Sequence, residues 1–198
     1  MDVQLQSPPK SFCMLDGHTT QEETTLILHC HDAIFKNATV INDKGKPVFR
    51  IEGSPSWSFR RKVFNSAGDQ LLFDFRHESS DVKNRWKIED PNDRELCSLA
   101  YEKQTTSAVE ATVHTLAGED VLVLMRPQSC GSVWTSISVG GATIATICRF
   151  VDNARIWGNT NRNKDQTAWV IHVAAGVDLS MITVLALSRA EMAPVWKQ

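Results

Sequence analysis

The sequence predicts a mainly β protein in which about twelve antiparallel strands form a barrel around one hydrophobic C-terminal α-helix. Five β-hairpin patterns follow one another along the chain, two further strands flank them, and the segment from Asp178 to Met192 is the only long helical pattern. Many short, evenly spaced strands are typical of a barrel or a sandwich. A helix that is apolar all round favours the barrel, because a barrel interior can enclose it.

Each hairpin pattern consists of two β-rich runs joined by a short turn rich in Gly, Asp or Asn. Such turns contain residues that tolerate positive φ, which is the usual signal of a hairpin. The predicted pairs are residues 38–42 with 47–51, 61–65 with 71–75, 85–89 with 96–100, 109–113 with 121–125, and 134–139 with 143–148, and the flanking strands are 24–30 and 168–173. The hairpins share turn composition but no side-chain motif, so we expect a meander and not a repeat protein.

The helix is predicted to begin after Asp178, whose carboxylate can accept hydrogen bonds from the free amides of the first turn. From Leu179 to Leu187 the apolar residues cover nearly the whole circumference, as in a helix that is buried or in a membrane. A membrane span needs roughly 20 apolar residues, and this run ends at Arg189 and Glu191. We therefore predict a helix enclosed by protein, with Ile182 in the core.

Composition and the N-terminal sequence limit the classes of protein to which this chain can belong. The net charge of −2, from 21 basic and 23 acidic residues, argues against a dedicated nucleic-acid binder. We see no signal peptide, and five scattered cysteines suggest reduced thiols. We expect an intracellular, cytoplasmic protein with peripheral membrane association as an option. Residues 1–23 are predicted to be a flexible tail, and residues 24–198 a single barrel domain.

The order of several short motifs resembles that of the LURP-one-related proteins, over roughly residues 24–193. The motifs are residues 46–53 (Lys-Pro-Val-Phe-Arg-Ile-Glu-Gly), 62–72 (Lys-Val-Phe-Asn-Ser-Ala-Gly-Asp-Gln-Leu-Leu), 85–88 (Arg-Trp-Lys-Ile), 144–145 (Ile-Ala) and 173–179 (Val-Ala-Ala-Gly-Val-Asp-Leu). This family is grouped with the Tubby C-terminal domain and the phospholipid scramblases. The resemblance implies a twelve-stranded barrel around a central C-terminal helix.

The resemblance implies less about function. Tubby domains bind phosphoinositide headgroups through a Lys/Arg pocket on the barrel wall, scramblase relatives act at membranes with calcium and palmitoylated cysteines, and LURP-one-related members have no established catalysis. This sequence has neither the scramblase cysteine cluster nor an EF-hand loop. No Tubby-type Lys/Arg pair can be placed by motif, so no ligand residue is transferred by resemblance.

The densest basic cluster consists of Arg60, Arg61 and Lys62. It is the predicted contact for an anionic lipid headgroup, with Trp57 and Phe59 beside it as interfacial residues. The alternative is a solvated strand start, because alternation sends Arg60 and Lys62 to one face of the strand and Arg61 to the other.

Other candidate sites are weaker. A polar loop at residues 152–167 contains Arg155, Trp157, Arg162 and Lys164, which together with Arg149 could join the basic surface. His29 and His31 share one strand face, but two histidines are too few for a structural zinc site. Cys130 begins a papain-like string that has Val133 where the nucleophile belongs, and no nucleophile elbow, Walker loop or zincin motif is present. We predict no catalytic residues, metal or cofactor.

The leading interpretation is a non-catalytic Tubby-like barrel that docks on phosphoinositides or an anionic membrane, or acts as an adaptor. The alternatives are a protein-binding signalling scaffold without lipid affinity and, with less support, a scramblase-like membrane protein. Anionic phospholipid headgroups and protein partners are both candidate ligands, and nucleic acid is not expected.

Overall fold

The computed structural model describes residues 3–31, 36–54, 60–78, 85–101, 108–128, 134–150 and 167–191. These residues form twelve β-strands and, after the last strand, one α-helix, α1 (Leu179–Glu191). The strands are β1 (Thr24–Cys30), β2 (Ala38–Asn42), β3 (Pro47–Gly53), β4 (Arg60–Asn65), β5 (Gln70–Glu78), β6 (Arg85–Glu89), β7 (Glu95–Tyr101), β8 (Val109–His114), β9 (Asp120–Pro127), β10 (Trp134–Val139), β11 (Ala142–Phe150) and β12 (Thr167–Val173). The predicted strands and hairpin pairs are confirmed.

The strands form a closed antiparallel barrel. Each strand pairs with its neighbours in sequence, and β1 closes the ring by pairing with both β2 and β12. Four of the hairpins contain a β-bulge, at Val40/Ile41, Val63/Phe64, Ile88/Glu89 and Ile137/Ser138. Bulges bend a strand and increase its twist, which helps the sheet to curve into a closed ring.

The interior of the barrel is filled by helix α1. Every residue from Ser180 to Ala190 is buried, and Ile182 has no exposed surface, so the predicted central helix is confirmed. Two hydroxyls of the helix donate to its own carbonyls: Thr183 to Leu179 O at 2.9 Å, and Ser188 to Leu185 O at 2.8 Å. Within the described ranges, no helix is long and apolar enough to cross a membrane.

The end of the barrel where α1 begins is built from tight turns. Positive φ occurs there at turn residues, including Asp69 (54°) and Asp93 (62°), in agreement with the hairpin prediction. We call this the turn end. It contains the connection from β12 to α1, in which Gly176 takes a φ of 81°.

A segment before β1 covers the turn end. Phe12 and Met14 belong to the hydrophobic core, with 6% and 0% exposure. Thr20 N–H donates to Val177 O at 3.0 Å and Thr20 O accepts from Gly176 N–H at 2.8 Å. We call residues 8–20 the strap. The region predicted to be a flexible tail thus supplies part of the core, while the division into 1–23 and 24–198 remains a prediction.

Asp178 joins the strap to the helix. Its Oδ1 accepts hydrogen bonds from the Ser180 amide (2.8 Å), the Ser180 hydroxyl and the Met181 amide (3.3 Å), which is the predicted N-cap. Its Oδ2 accepts from the amides of Met14 (2.7 Å) and Leu15 (3.0 Å) in the strap. One buried carboxylate therefore holds the first turn of α1 and the strap together.

Candidate functional site

Because α1 and the core side chains fill the interior, the surfaces offered to a ligand are on the outside of the barrel. Side chains alternate between the two faces of each strand, so every second residue points outward. The outward residues of two parts of the ring differ in chemistry. One region lies on β3–β7 and is charged, and the other lies on β10–β12, β1 and β2 and carries no acidic or basic side chain other than histidine.

The charged wall consists of outward residues that carry charges of both signs. Its members are Arg50, Glu52, Arg60, Lys62, Asp74, Arg76, Lys87, Glu89 and Glu95.

Most cations of the charged wall have a carboxylate partner. Arg76 lies 3.1 Å from Glu89, and Lys87 bridges Glu89 at 2.7 Å and Glu95 at 3.4 Å. Arg50 pairs with Glu52 and with Asp69 of the adjacent turn. The hydrogen bond from Lys87, followed by the nearby cations, holds the pKa of Glu89 below its usual range. The wall is therefore a lattice of compensated charges and not a basic patch.

The three residues of the predicted anion contact are separated by the barrel wall. Arg60 points outward and its Nη2 lies 2.5 Å from Asp74 Oδ2, a hydrogen bond that raises the pKa of Arg60. Lys62 is exposed on the same face, and its cross-strand neighbours are Glu52 and Asp74. Arg61 points inward and is 3% exposed. The alternation predicted from the sequence therefore places only Arg60 and Lys62 on the surface.

Arg61 contributes to a buried contact at the end of α1. It forms an ion pair with Glu191, the last helical residue, and its guanidinium lies over the Phe75 ring at 5.8 Å. Trp86 Nε1 donates a second hydrogen bond to Glu191, at 2.6 Å. These contacts fix the end of the helix to β4 and β6, so Arg61 has a structural role in the fold.

The uncharged region carries an apolar belt. Trp134, Cys148, Val170, Ile27 and Ile41 lie side by side in register across five adjacent strands, from β10 to β2. Trp134 is 40% exposed, and the next three members of the belt, Cys148, Val170 and Ile27, are half-buried. A row of apolar side chains along the outside of a sheet is the kind of surface that partner proteins cover.

A second row runs beside the apolar belt. It consists of Ser136, Thr146, His172 and Thr25, again in register. The Thr25 hydroxyl and His172 Nδ1 lie within hydrogen-bond distance, at 3.1 Å. We call the belt and this row together the neutral wall.

A cleft of about 520 Å³ opens on the neutral wall. It is lined by the outward residues Trp134, Thr146 and His172 of the barrel, by residues 3–5 of the chain before the strap, and by Glu23 and Gln128. Thr146 is only 4% exposed although it lies on the outer face, because residues 3–5 lie beside it. A second cleft, of about 460 Å³, lies at the turn end beside Asp16, His18 and Asp90.

Comparison with known proteins identifies the family. A model described as LURP-one-related matches residues 24–188. The chain belongs to the LURP-one-related family. No curated protein matches the sequence.

The fold of this LURP-one-related chain is also seen in a solved structure. An Arabidopsis thaliana protein of known X-ray structure superposes with a TM-score of 0.61 over 90% of this chain and 96% of its own, at 13% sequence identity. Identity at that level supports the fold alone. The family and the twelve-stranded barrel that the motifs implied are thus confirmed.

The other predicted site residues of the LURP-one-related barrel are placed as follows. His29 and His31 stack with ring centroids 6.3 Å apart on the outside of β1, and His31 Nε2 lies 2.9 Å from Thr39 Oγ1. No cluster of metal-ligating side chains occurs within the described ranges. Arg149 faces the interior in register with Trp169. The remaining predicted contacts, Trp57, Phe59, Arg155, Trp157, Arg162 and Lys164, and also Cys130 and Val133, lie outside the described residues.

His29 is expected to make this family member less stable at mildly acidic pH. Burial, with a smaller contribution from His31, lowers the pKa of His29 to about 4 from 6.5. Between these two values the unfolded chain binds a proton that the folded chain does not, so stability falls as pH falls through this window. The urea midpoint of the wild type should drop more between pH 7 and pH 4.5 than that of His29→Asn, and parallel pH profiles would contradict the expectation.

Sequence reasoning missed the neutral wall of this LURP-one-related barrel. The signal was present, since the outward residues of β10–β12, β1 and β2 are uncharged. It became visible only when strand register was known, because register decides which residues of different strands lie side by side.

Proposed function

We propose that this LURP-one-related chain is a non-catalytic docking module that binds a protein partner through the neutral wall. The observation that carries the proposal is the apolar belt from Trp134 to Ile41, which is aligned across five strands, exposed at Trp134, half-buried in the middle and buried at Ile41. A closed barrel has no free strand edge in its own sheet, so a partner of the barrel has to bind through outward side chains. Apolar and aromatic side chains are the usual centre of such contacts.

A non-catalytic role is supported by the state of the thiols. Burial is the largest cause of a raised pKa for Cys13, Cys97 and Cys148. A thiol is nucleophilic only as thiolate, so these three cysteines are poor nucleophiles at neutral pH. In the part of the chain that the structure describes, α1 and the core side chains occupy the interior, which is where a substrate would otherwise be separated from water.

An anionic-membrane contact through Arg60, Arg61 and Lys62 is the second candidate function. Basic residues near an anionic surface contribute about 1 kcal/mol each, and Lys62 and Arg60 do reach the surface. Arg60 would have to give up Asp74, and Arg61 would have to leave the core and Glu191. The protein-docking proposal is therefore favoured, because the neutral wall needs no such rearrangement.

Co-sedimentation with liposomes distinguishes the protein-docking function from the anionic-membrane function. Purified protein is mixed with vesicles with and without phosphoinositide, across a salt series. We expect no salt-sensitive binding, and no difference between the wild type and the Arg60→Ala/Lys62→Ala variant, which leaves the buried Arg61 in place. Binding that weakens with salt and is lost in this variant would establish the membrane function and overturn our proposal.

A further inference from the structure

The cleft on the neutral wall has features of a peptide site. We propose that it binds an extended segment of a partner protein that carries one large apolar side chain and a neighbouring lysine or arginine. The inference rests on the proposed protein-docking function and names its site and its ligand class. It is argued from the backbone beside the cleft, from the side chains within it, and from its charge.

The backbone beside the cleft offers an open edge. Residues 3–6 have no regular secondary structure and run along the outside of β11, where the Gln6 amide donates to Thr143 O at 2.9 Å. Within the described ranges this is the sole backbone hydrogen bond from Val3, Gln4, Leu5 or Gln6. Their remaining amides and carbonyls are available to pair with an added strand, which is how extended peptides gain affinity at a sheet edge.

The side chains within the cleft favour one apolar anchor. Trp134, which is 40% exposed, lines the cleft together with Val3, 37% exposed, and the half-buried Leu5. A volume of about 520 Å³ has room for a large side chain and the adjoining backbone. A partly exposed tryptophan that lines a cleft together with aliphatic side chains is typical of a binding hot spot, because an inserted side chain removes their apolar surface from water.

The charge of the cleft favours a basic residue next to the apolar anchor of the bound segment. Apart from the titratable His172, Glu23 is the single charged side chain among the described residues that line the cleft. It is exposed, and no ion pair involves it within the described part of the chain. A lysine or arginine next to the apolar anchor would supply the complementary charge, and an acidic residue there would be repelled.

A phage-displayed library of random eight-residue peptides tests the proposal. The full chain is the bait, with Trp134→Ala and Glu23→Lys as the test variants. Leu122→Ala is the matched control, because Leu122 is 54% exposed on β9 and does not line the cleft. Thermal unfolding checks that each variant folds as the wild type does. Enriched peptides are then synthesised and their Kd is measured by fluorescence polarisation.

We expect enriched peptides to share an aromatic or aliphatic residue beside a lysine or arginine. Their Kd should rise about tenfold or more in Trp134→Ala, as for a hot-spot residue, and should rise in Glu23→Lys with loss of the salt dependence. Leu122→Ala should bind as the wild type does. Peptides that bind all variants equally would overturn this site but leave protein docking standing. No enrichment would also overturn it, and salt-sensitive vesicle binding in the earlier experiment is what would remove the proposed function itself.

Discussion

Replacing Ile182 with aspartate is expected to unfold the protein. Ile182 lies in the middle of α1 with no exposed surface, inside a barrel whose walls are apolar on that side. An unpaired carboxylate there costs several kcal/mol, on the order of the whole stability of a typical domain, about 5–15 kcal/mol. Circular dichroism and urea titration of Ile182→Asp should show no cooperative transition.

The matched control introduces the same residue on the outside of the barrel. Leu122→Asp places a carboxylate at a position that is 54% exposed, so stability should change by less than about 1 kcal/mol. Ile182→Val keeps the site apolar and should cost about 0.5–1.5 kcal/mol. A soluble Ile182→Asp protein that melts cooperatively near the wild-type temperature would contradict the central position of the helix.

Asp178→Ala is expected to be the most damaging polar substitution. The carboxylate of Asp178 accepts hydrogen bonds from four backbone amides, two in the strap and two in the first turn of α1. Removing it leaves these donors buried without their acceptor, and a single unsatisfied buried donor costs about 1–3 kcal/mol. The free energy of unfolding should fall by roughly 3 kcal/mol or more, as measured by urea denaturation.

Loss of Asp178 should also release the strap. Amide hydrogen exchange at Met14 and Leu15 is expected to accelerate in Asp178→Ala by far more than exchange at β6 and β7, on the opposite side of the ring from β1 and β12. Asp43→Ala is the control, because Asp43 lies exposed in the turn between β2 and β3. If Asp178→Ala and Asp43→Ala were equally stable, the carboxylate would not have the role described here.

Most of the fold could be predicted from the sequence because its signals are local. Alternation of apolar residues marks a strand, and turn residues such as Asp43 and Gly45 mark where it reverses. The all-round apolar character of α1 then requires an enclosure. The strap could not be predicted in this way. Phe12 and Met14 stand in a polar stretch without periodicity, and their burial depends on contacts with residues more than a hundred positions away.

The candidate site was less predictable, because it depends on which side chains of different strands become neighbours. Arg60, Arg61 and Lys62 are adjacent in sequence. The pleat of the strand nevertheless directs Arg61 into the core, and Arg60 forms an ion pair with Asp74 on β5. Trp134 and Ile41 are far apart in sequence, yet register brings them into one belt. A basic run is therefore weak evidence for a basic surface when its strand partners are acidic.

The position of α1 after all twelve strands sets the order of events during synthesis. The helix that fills the barrel is translated after all twelve strands, and the Met14 amide has no hydrogen-bond acceptor until Asp178, 164 residues later, has left the ribosome. Until then the apolar inner faces of the strands have no central partner and are exposed to other chains. Such long-range closure is slow and favours aggregation of incomplete chains. We therefore expect incomplete chains of this protein to aggregate more readily than the complete chain, and a stop codon before residue 179 would remove the helix that fills an otherwise complete barrel.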